Sequence, residues 1–178
     1  MLAGLSGRVI EVGAGTGLNF RHYPEGVELV AVEPEPTMRG KAQAAARTAP
    51  VPITVVDGVA DDIPAEDGSA DAVVVSGVLC SVADVPAALI EFRRVLKPAG
   101  ELRFYEHVRS EHRLRGWFQD LADPLWSRLM GGCHPNRDTL TTLQDAGFHV
   151  DHWRDFSFPY GARFSVVAPR ILGTAVAG

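Results

Sequence analysis

A glycine-dense turn, Glu11-Val-Gly-Ala-Gly-Thr-Gly17, follows directly on the β-branched run Arg8-Val-Ile-Glu-Val12. Valine and isoleucine at this density favour an extended strand. Gly13, Gly15 and Gly17 let the chain reverse sharply and approach a ligand with no Cβ in the way. The segment that follows, Thr16 to Tyr23, reads as a short helix closed by Pro24 and Gly26. A first strand that ends in such a turn opens a doubly wound α/β sheet, where ligands gather at the carboxyl ends of the strands. The plainer alternative is a tight turn that holds nothing.

The rest of the chain repeats the alternation. Strands are expected at Glu28–Val32, Ile53–Val56, Ala72–Ser76 and Glu101–His107, with helices at Thr37–Arg47 and from Asp84 to Leu96. The nearly unbroken valines of the fourth strand point to burial on both faces. Lys97-Pro-Ala-Gly100 reads as a turn. Beyond the fifth strand, His112–Met130 reads as a mostly helical insertion interrupted by Pro124, within a segment of about 110–132. A helix over Arg137–Ala146 and two closing strands, His149–Phe156 and Arg163–Ala168, complete the pattern. A chain of 178 residues without linker or repeat makes one domain, an α/β fold with a mostly parallel sheet and helices on both faces.

Charge narrows the partners. The formal charge is −5, and the densest basic stretch, Arg109 to Arg115, is broken by Glu111. No basic face of the kind nucleic acid requires is expected. No run reaches the length of a membrane span and no secretory leader is read at the start, which suggests a cytoplasmic protein. Two cysteines, Cys80 and Cys133, cannot form a disulfide framework and fit a reducing compartment.

Glu33 ends the second strand, where a carboxylate can accept hydrogen bonds from both hydroxyls of a ribose. With the glycine turn this admits either a nicotinamide dinucleotide or S-adenosylmethionine. Leu18 stands where a dinucleotide fingerprint places its third glycine, and no Tyr-x-x-x-Lys pair is present. Two further strings, Asp67-Gly-Ser-Ala-Asp71 before the fourth strand and Arg93-Arg-Val-Leu-Lys-Pro-Ala-Gly100 before the fifth, complete an ordered set. That set resembles the class I S-adenosylmethionine-dependent methyltransferases, in particular the type 11 group, from Val9 to about Ala168. Ala99 replaces one glycine of the last motif.

The resemblance implies a Rossmann-like seven-stranded sheet with an antiparallel last strand, S-adenosylmethionine as cofactor and S-adenosylhomocysteine as product. It places Gly13, Ala14, Gly15 and Gly17 along the methionine and ribose, Glu11 beneath the amino group, and Glu33 with Pro34 at the ribose. Val59, Ala60 and Asp61 would frame the adenine, and Ser76 and Val78 the methionine tail. Val59 departs from the aspartate of many relatives, so adenine recognition would rest on backbone groups or Asp61.

Three local strings, Val78-Leu-Cys-Ser-Val82, Phe104-Tyr-Glu-His-Val108 and Gly131-Gly-Cys133 with Arg137-Asp-Thr139, together with Asp123-Pro-Leu-Trp126, resemble the alkyl thiol S-methyltransferases. A small thiol is therefore the expected acceptor. A small amine or a phospholipid head group is the alternative, and a homologue that binds cofactor without catalysis is another. Those thiol enzymes carry an upstream apolar anchor, and a histidine where this chain has Arg170. The first strand comes almost at the start of the chain, so part of the lid over the cofactor is expected to be missing, supplied by a second subunit as in a homodimer, or absent through a misassigned start.

His107, at the carboxyl end of a central strand, is the candidate group facing the acceptor, since imidazole takes a proton near neutral pH. A structural histidine bonded to the insertion is the competing reading. Glu106 would face the other way. Cys80 reads as a small buried residue, and adjacent Cys133 and His134 make a poor zinc pair, so no metal is expected. Trp117, Phe118 and Trp126 read as core residues first and acceptor-pocket residues second, as do Phe156, Phe158 and Tyr160.

Overall fold

The structure is a computed structural model that describes residues 1–159 and 165–178. Seven strands form one sheet: β1 (Gly7–Val12), β2 (Val27–Val32), β3 (Ile53–Val56), β4 (Ala70–Ser76), β5 (Leu96–His107), β6 (Phe148–Ser157) and β7 (Pro169–Ala177). Their order is β3-β2-β1-β4-β5-β7-β6. The first five run parallel, and β7 is antiparallel to both β5 and β6. The expected Rossmann-like sheet is therefore present, with the strand order reversing between β1 and β4.

Alternation along β1 builds two cores. Val9 packs with Leu5, Phe20, Tyr23 and Leu29 on one face, whereas Ile10 and Val12 pack with Val73, Leu89, Phe92 and Phe104 on the other. The β4 valines Val73, Val74 and Val75 are wholly buried, as a central parallel strand covered on both faces requires.

Caps fix where the covering helices start. Glu35 accepts from the backbone N–H groups of Thr37 and Met38 at 3.0 and 2.7 Å, and Pro36 opens α1 (Pro36–Ala46). Asp84 accepts from Ala87 N–H at 2.9 Å at the head of α2 (Val85–Val95). Asp138 does the same for Thr141 at the head of α4 (Thr139–Asp145).

Several expected elements take a different form. Thr16–Tyr23 is not a helix: it holds turns and one 3-10 turn at Phe20–His22, because Gly17 adopts φ +79° and the Asn19 side chain is drawn to Glu11. Lys97–Gly100 falls inside β5 as an irregularity between the pairs Ala70↔Leu96 and Ala72↔Glu101, with Ala99 at φ 63°. Residues 137 and 138 precede α4 rather than joining it. Of the strand expected at Arg163–Ala168, residues 163 and 164 lie outside the described residues, and 165–168 lead into β7 at Pro169. The insertion is one helix, α3 (Arg113–Leu129), that carries Pro124 internally without a break.

Two of the three α3 aromatics expected in the core are not there, and the third, Trp126, is half-buried with its indole nitrogen covered. Trp117 is 62% and Phe118 47% exposed, and Leu114, Leu121, Leu125 and Leu129 continue the same outer face. The inward face instead presents Gln119, which is buried. Its amide nitrogen donates to the carbonyls of Val108, Pro135 and Val166, and its oxygen accepts from Ser110 N–H. Phe158 is exposed, Phe156 stacks obliquely on Tyr105, and Tyr160 lies outside the described residues. Among the described residues no helix is long and apolar enough to cross a membrane.

Candidate functional site

The carboxyl ends of β1 and β4 meet where the strand order reverses, and a cleft of about 270 Å³ opens there. Gly13, Pro34, Val59, Ala60, Asp61 and Val78 line it, all six expected from the sequence. Val12, Gly58, Val82, Ala83 and Asp84 complete the wall; none of them was expected to touch the cofactor, and they arrive because two loops fold over the same edge.

Gly13 shows why the turn is glycine-rich. Its φ is +68°, and a Cβ there would stand 2.6 Å from Val78 Cγ2, so β1 and the loop after β4 touch only because no side chain intervenes. Gly15, at φ +59°, faces open space. Gly17 packs against the Phe20 ring, and Ala14 is buried; neither lines the cleft.

The two acids play separate parts. Glu33 accepts from Gly15 N–H at 2.7 Å and from Glu35 N–H at 3.0 Å, so it ties the glycine turn to the end of β2. Each of its oxygens keeps a lone pair for a further donor. Glu11 turns away from the cleft and accepts from Asn19 Nδ2 at 2.7 Å and Tyr23 Oη at 3.0 Å. Burial raises its carboxyl to about 7, against the pull of those two donors, and burial likewise raises the Tyr23 phenol. Ser76 ends β4 and is not among the residues that line the cleft.

The loop after β4 runs on from Val78 to a second cluster. Val78 and Cys80 both donate their backbone N–H groups to Glu106, at 3.0 Å each. Glu106 is fully buried on the face opposite to His107, as alternation along β5 demands, and burial pushes its carboxyl up to about 8. His107, the last residue of β5, brings Nδ1 to 3.5 Å from Cys80 Sγ and to 3.5 Å from Cys133 Sγ. The two sulfurs are 3.7 Å apart. These three ligand-type atoms come from three elements, and the sequence spacing gave no sign of their meeting.

Surrounding contacts hold the cluster. His134 N–H donates to the Cys80 carbonyl at 2.6 Å, the His134 imidazole lies 3.0 Å from both Asp123 oxygens, and Arg137 donates to the Leu79 carbonyl at 2.5 Å. The Trp126 indole N–H is buried without a hydrogen-bond partner and lies near enough to Cys133 to favour its thiolate. The two thiols lie within sulfur hydrogen-bond distance of each other. Hydrogen bonding between them eases the first ionisation of the pair below the ordinary cysteine range and makes the second harder.

Larger cavities lie elsewhere. One of about 430 Å³ is bounded by Arg109, Arg115, Asp155 and Arg170, and an apolar one of about 600 Å³ by Leu114, Trp117, Phe118 and Val166. Neither includes a residue of the glycine turn.

This geometry matches a known group. A profile of the methyltransferase domain family matches residues 10–104. Human thiol S-methyltransferase TMT1A is 36% identical over 180 residues, covering 98% of this chain and 73% of that protein. The methyltransferase Rv3342 of Mycobacterium tuberculosis is 39% identical over 179 residues, covering 96% of this chain and 67% of that protein. Among solved structures, an S-adenosylmethionine-dependent methyltransferase of Methanosarcina mazei superposes with a TM-score of 0.75 at 19% identity, covering 96% of this chain and 92% of that one. That likeness is one of fold.

Proposed function

This chain belongs to the S-adenosylmethionine-dependent methyltransferases, and from that premise we propose that it methylates the sulfur of a small thiol. The observation that carries the acceptor is the likeness to a human thiol S-methyltransferase, which covers 98% of this chain. The acidic charge of the chain supports a small acceptor rather than nucleic acid.

The cleft fits the donor on physical grounds. Gly15 leaves open space beside the turn, and Val59, Ala60 and Asp61 offer a partly apolar wall for an adenine. Glu33 stands at the tip of β2, where its free lone pairs reach a ribose, and Gly13 and Val78 flank the methionine tail. Bound there, the donor supplies an electrophilic methyl group on a sulfonium. The protein's residues then need only align a nucleophile with it and keep water out. A thiol with pKa near about 8.5 ionises readily enough that no strong base is required. His107 stands on the acceptor side of this arrangement.

The test is incubation with isotopically labelled donor and a mixed panel of alkyl thiols, amines and phenols, with products read by mass spectrometry. S-methyl products are expected. His107→Ala should lower turnover with thiols and leave S-adenosylhomocysteine affinity near that of the unaltered protein. Methylation of amines or phenols to the exclusion of thiols refutes the acceptor.

A further inference from the structure

Cys80, His107 and Cys133 lie 26 to 53 residues apart in sequence, yet their ligand atoms all fall within 4.8 Å of one another. The shape of the triangle is informative. Tetrahedral zinc with Zn–S of about 2.3 Å and Zn–N of about 2.0–2.1 Å requires S···S edges of about 3.7–3.8 Å and S···N edges of about 3.5–3.6 Å. The edges here are 3.7, 3.5 and 3.5 Å. A disulfide would need the sulfurs at about 2.05 Å, so the pair is not placed as a closed bond. Hydrogen bonding alone does not require one imidazole nitrogen to face two sulfurs at the same distance.

We propose that Cys80 Sγ, Cys133 Sγ and His107 Nδ1 bind a zinc ion whose fourth position is open to the acceptor thiol. Among the described residues no fourth His, Cys, Asp or Glu joins the group. Three protein ligands with one open position is the pattern of a reactive zinc rather than a structural one. Cys80 is held from behind. Glu106 fixes its loop through the backbone N–H groups of Val78 and Cys80, and the Cys80 carbonyl accepts from His134 N–H.

Position in the fold connects the site to the donor cleft. Val78 lines the cleft, Cys80 comes two residues later, and Val82 to Asp84 line the cleft again. The ion would therefore sit on the same loop that borders the sulfonium. The acceptor R–SH takes the open position and its proton passes to water, since a coordinating thiol is deprotonated by the metal. The sulfur lone pair then attacks the sulfonium methyl. The new S–CH3 bond forms as the old C–S bond breaks, and that bonding pair stays on the sulfur of S-adenosylhomocysteine. The neutral thioether is a weaker ligand than a thiolate and departs. His107 then positions the metal and does not itself carry the proton.

This inference rests on the thiol reading for its acceptor, and the experiment separates the two. The full chain is purified, loaded with zinc, and its metal content measured. Cobalt(II) replaces zinc to report thiolate ligation through charge-transfer absorption. One zinc per chain is expected, with affinity lost by more than about tenfold in Cys80→Ser, Cys133→Ser and His107→Ala. S-adenosylhomocysteine binding by each variant shows that it has folded. A chelator should abolish thiol methylation and zinc restore it. If the chain binds no zinc, forms a Cys80–Cys133 disulfide, or methylates thiols at full rate in chelator, the metal site is refuted while the thiol acceptor stands. If zinc binds through these residues but only amines are methylated, the thiol reading fails and the site survives.

Discussion

Replacing Glu11 by Gln should make the protein more stable, by an amount that depends on pH. Glu11 is 2% exposed, and burial raises its carboxyl from an ordinary 4.5 to about 7. Below pH 4.5 the group is protonated in both folded and unfolded chains, and its contribution to stability is fully present. As pH rises from 4.5 towards 7 the unfolded chain ionises first, and that contribution is lost. The interval is worth about 3 kcal/mol at about 1.4 kcal/mol per pH unit. Glutamine has the shape of the protonated acid. Its oxygen can accept from Asn19, and its amide can donate to the Tyr23 hydroxyl, which rotates to receive it. The variant should therefore gain little at pH 5, and about 3 kcal/mol at pH 8, or about 6–12 °C in melting temperature for a chain of this size. Thermal and urea denaturation of both proteins across that range measure the gap. A gap that is the same at pH 5 and pH 8, or a less stable variant at pH 8, refutes the argument from burial. If the carboxylate also steadies the cationic end of the donor, the same variant loses S-adenosylhomocysteine affinity while it gains stability.

Four other substitutions probe the site and its frame. Gly13→Ala imposes about 1–2 kcal/mol of backbone strain and forces Val78 to move, whereas Gly15→Ala meets only the strain; equal losses of melting temperature would show that Val78 yields without cost. Glu33→Ala removes the acceptor of Gly15 N–H and the expected ribose ligand, so calorimetry should show S-adenosylhomocysteine affinity weakened by more than about tenfold; unchanged affinity rejects the assignment. Gln119→Leu strands three carbonyls and one N–H, and urea denaturation should show a loss above about 3 kcal/mol.

Local chemistry explains what could be read from the chain and what could not. Ile53–Val56 is a strand at the expected bounds because its β-branched run lies between Pro52 and Asp57, so both limits are written in adjacent residues. The helices headed by Glu35 and Asp84 are equally local, each fixed by a carboxylate that accepts from an N–H two or three residues on. Of the six cleft residues, Gly13 followed from the glycine turn, a short-range feature, whereas Pro34, Val59, Ala60, Asp61 and Val78 came only through the family resemblance.

Where a partner is distant, the chain is silent. Thr16–Tyr23 has the composition of a helix, but Glu11 takes the Asn19 amide and the Tyr23 hydroxyl, and those bonds favour a turn. The outer face of α3 has the period of a buried helix, and its exposed leucines show that period alone does not say which face is covered. The thiol–imidazole cluster is the extreme case. Cys133 stands beside His134 in sequence, a pair too close to share a metal well, while the imidazole it meets lies 26 residues away on β5. Only the strand order carries His107 there: β5 lies next to β4, so the end of one strand and the loop leaving the other share an edge. The turn after α3 then returns Cys133 across that edge, locked by His134 on the Cys80 carbonyl. The thiol–imidazole cluster is thus a product of topology, and a substitution that loosened the return of the chain after α3 would separate the two sulfurs without touching either cysteine.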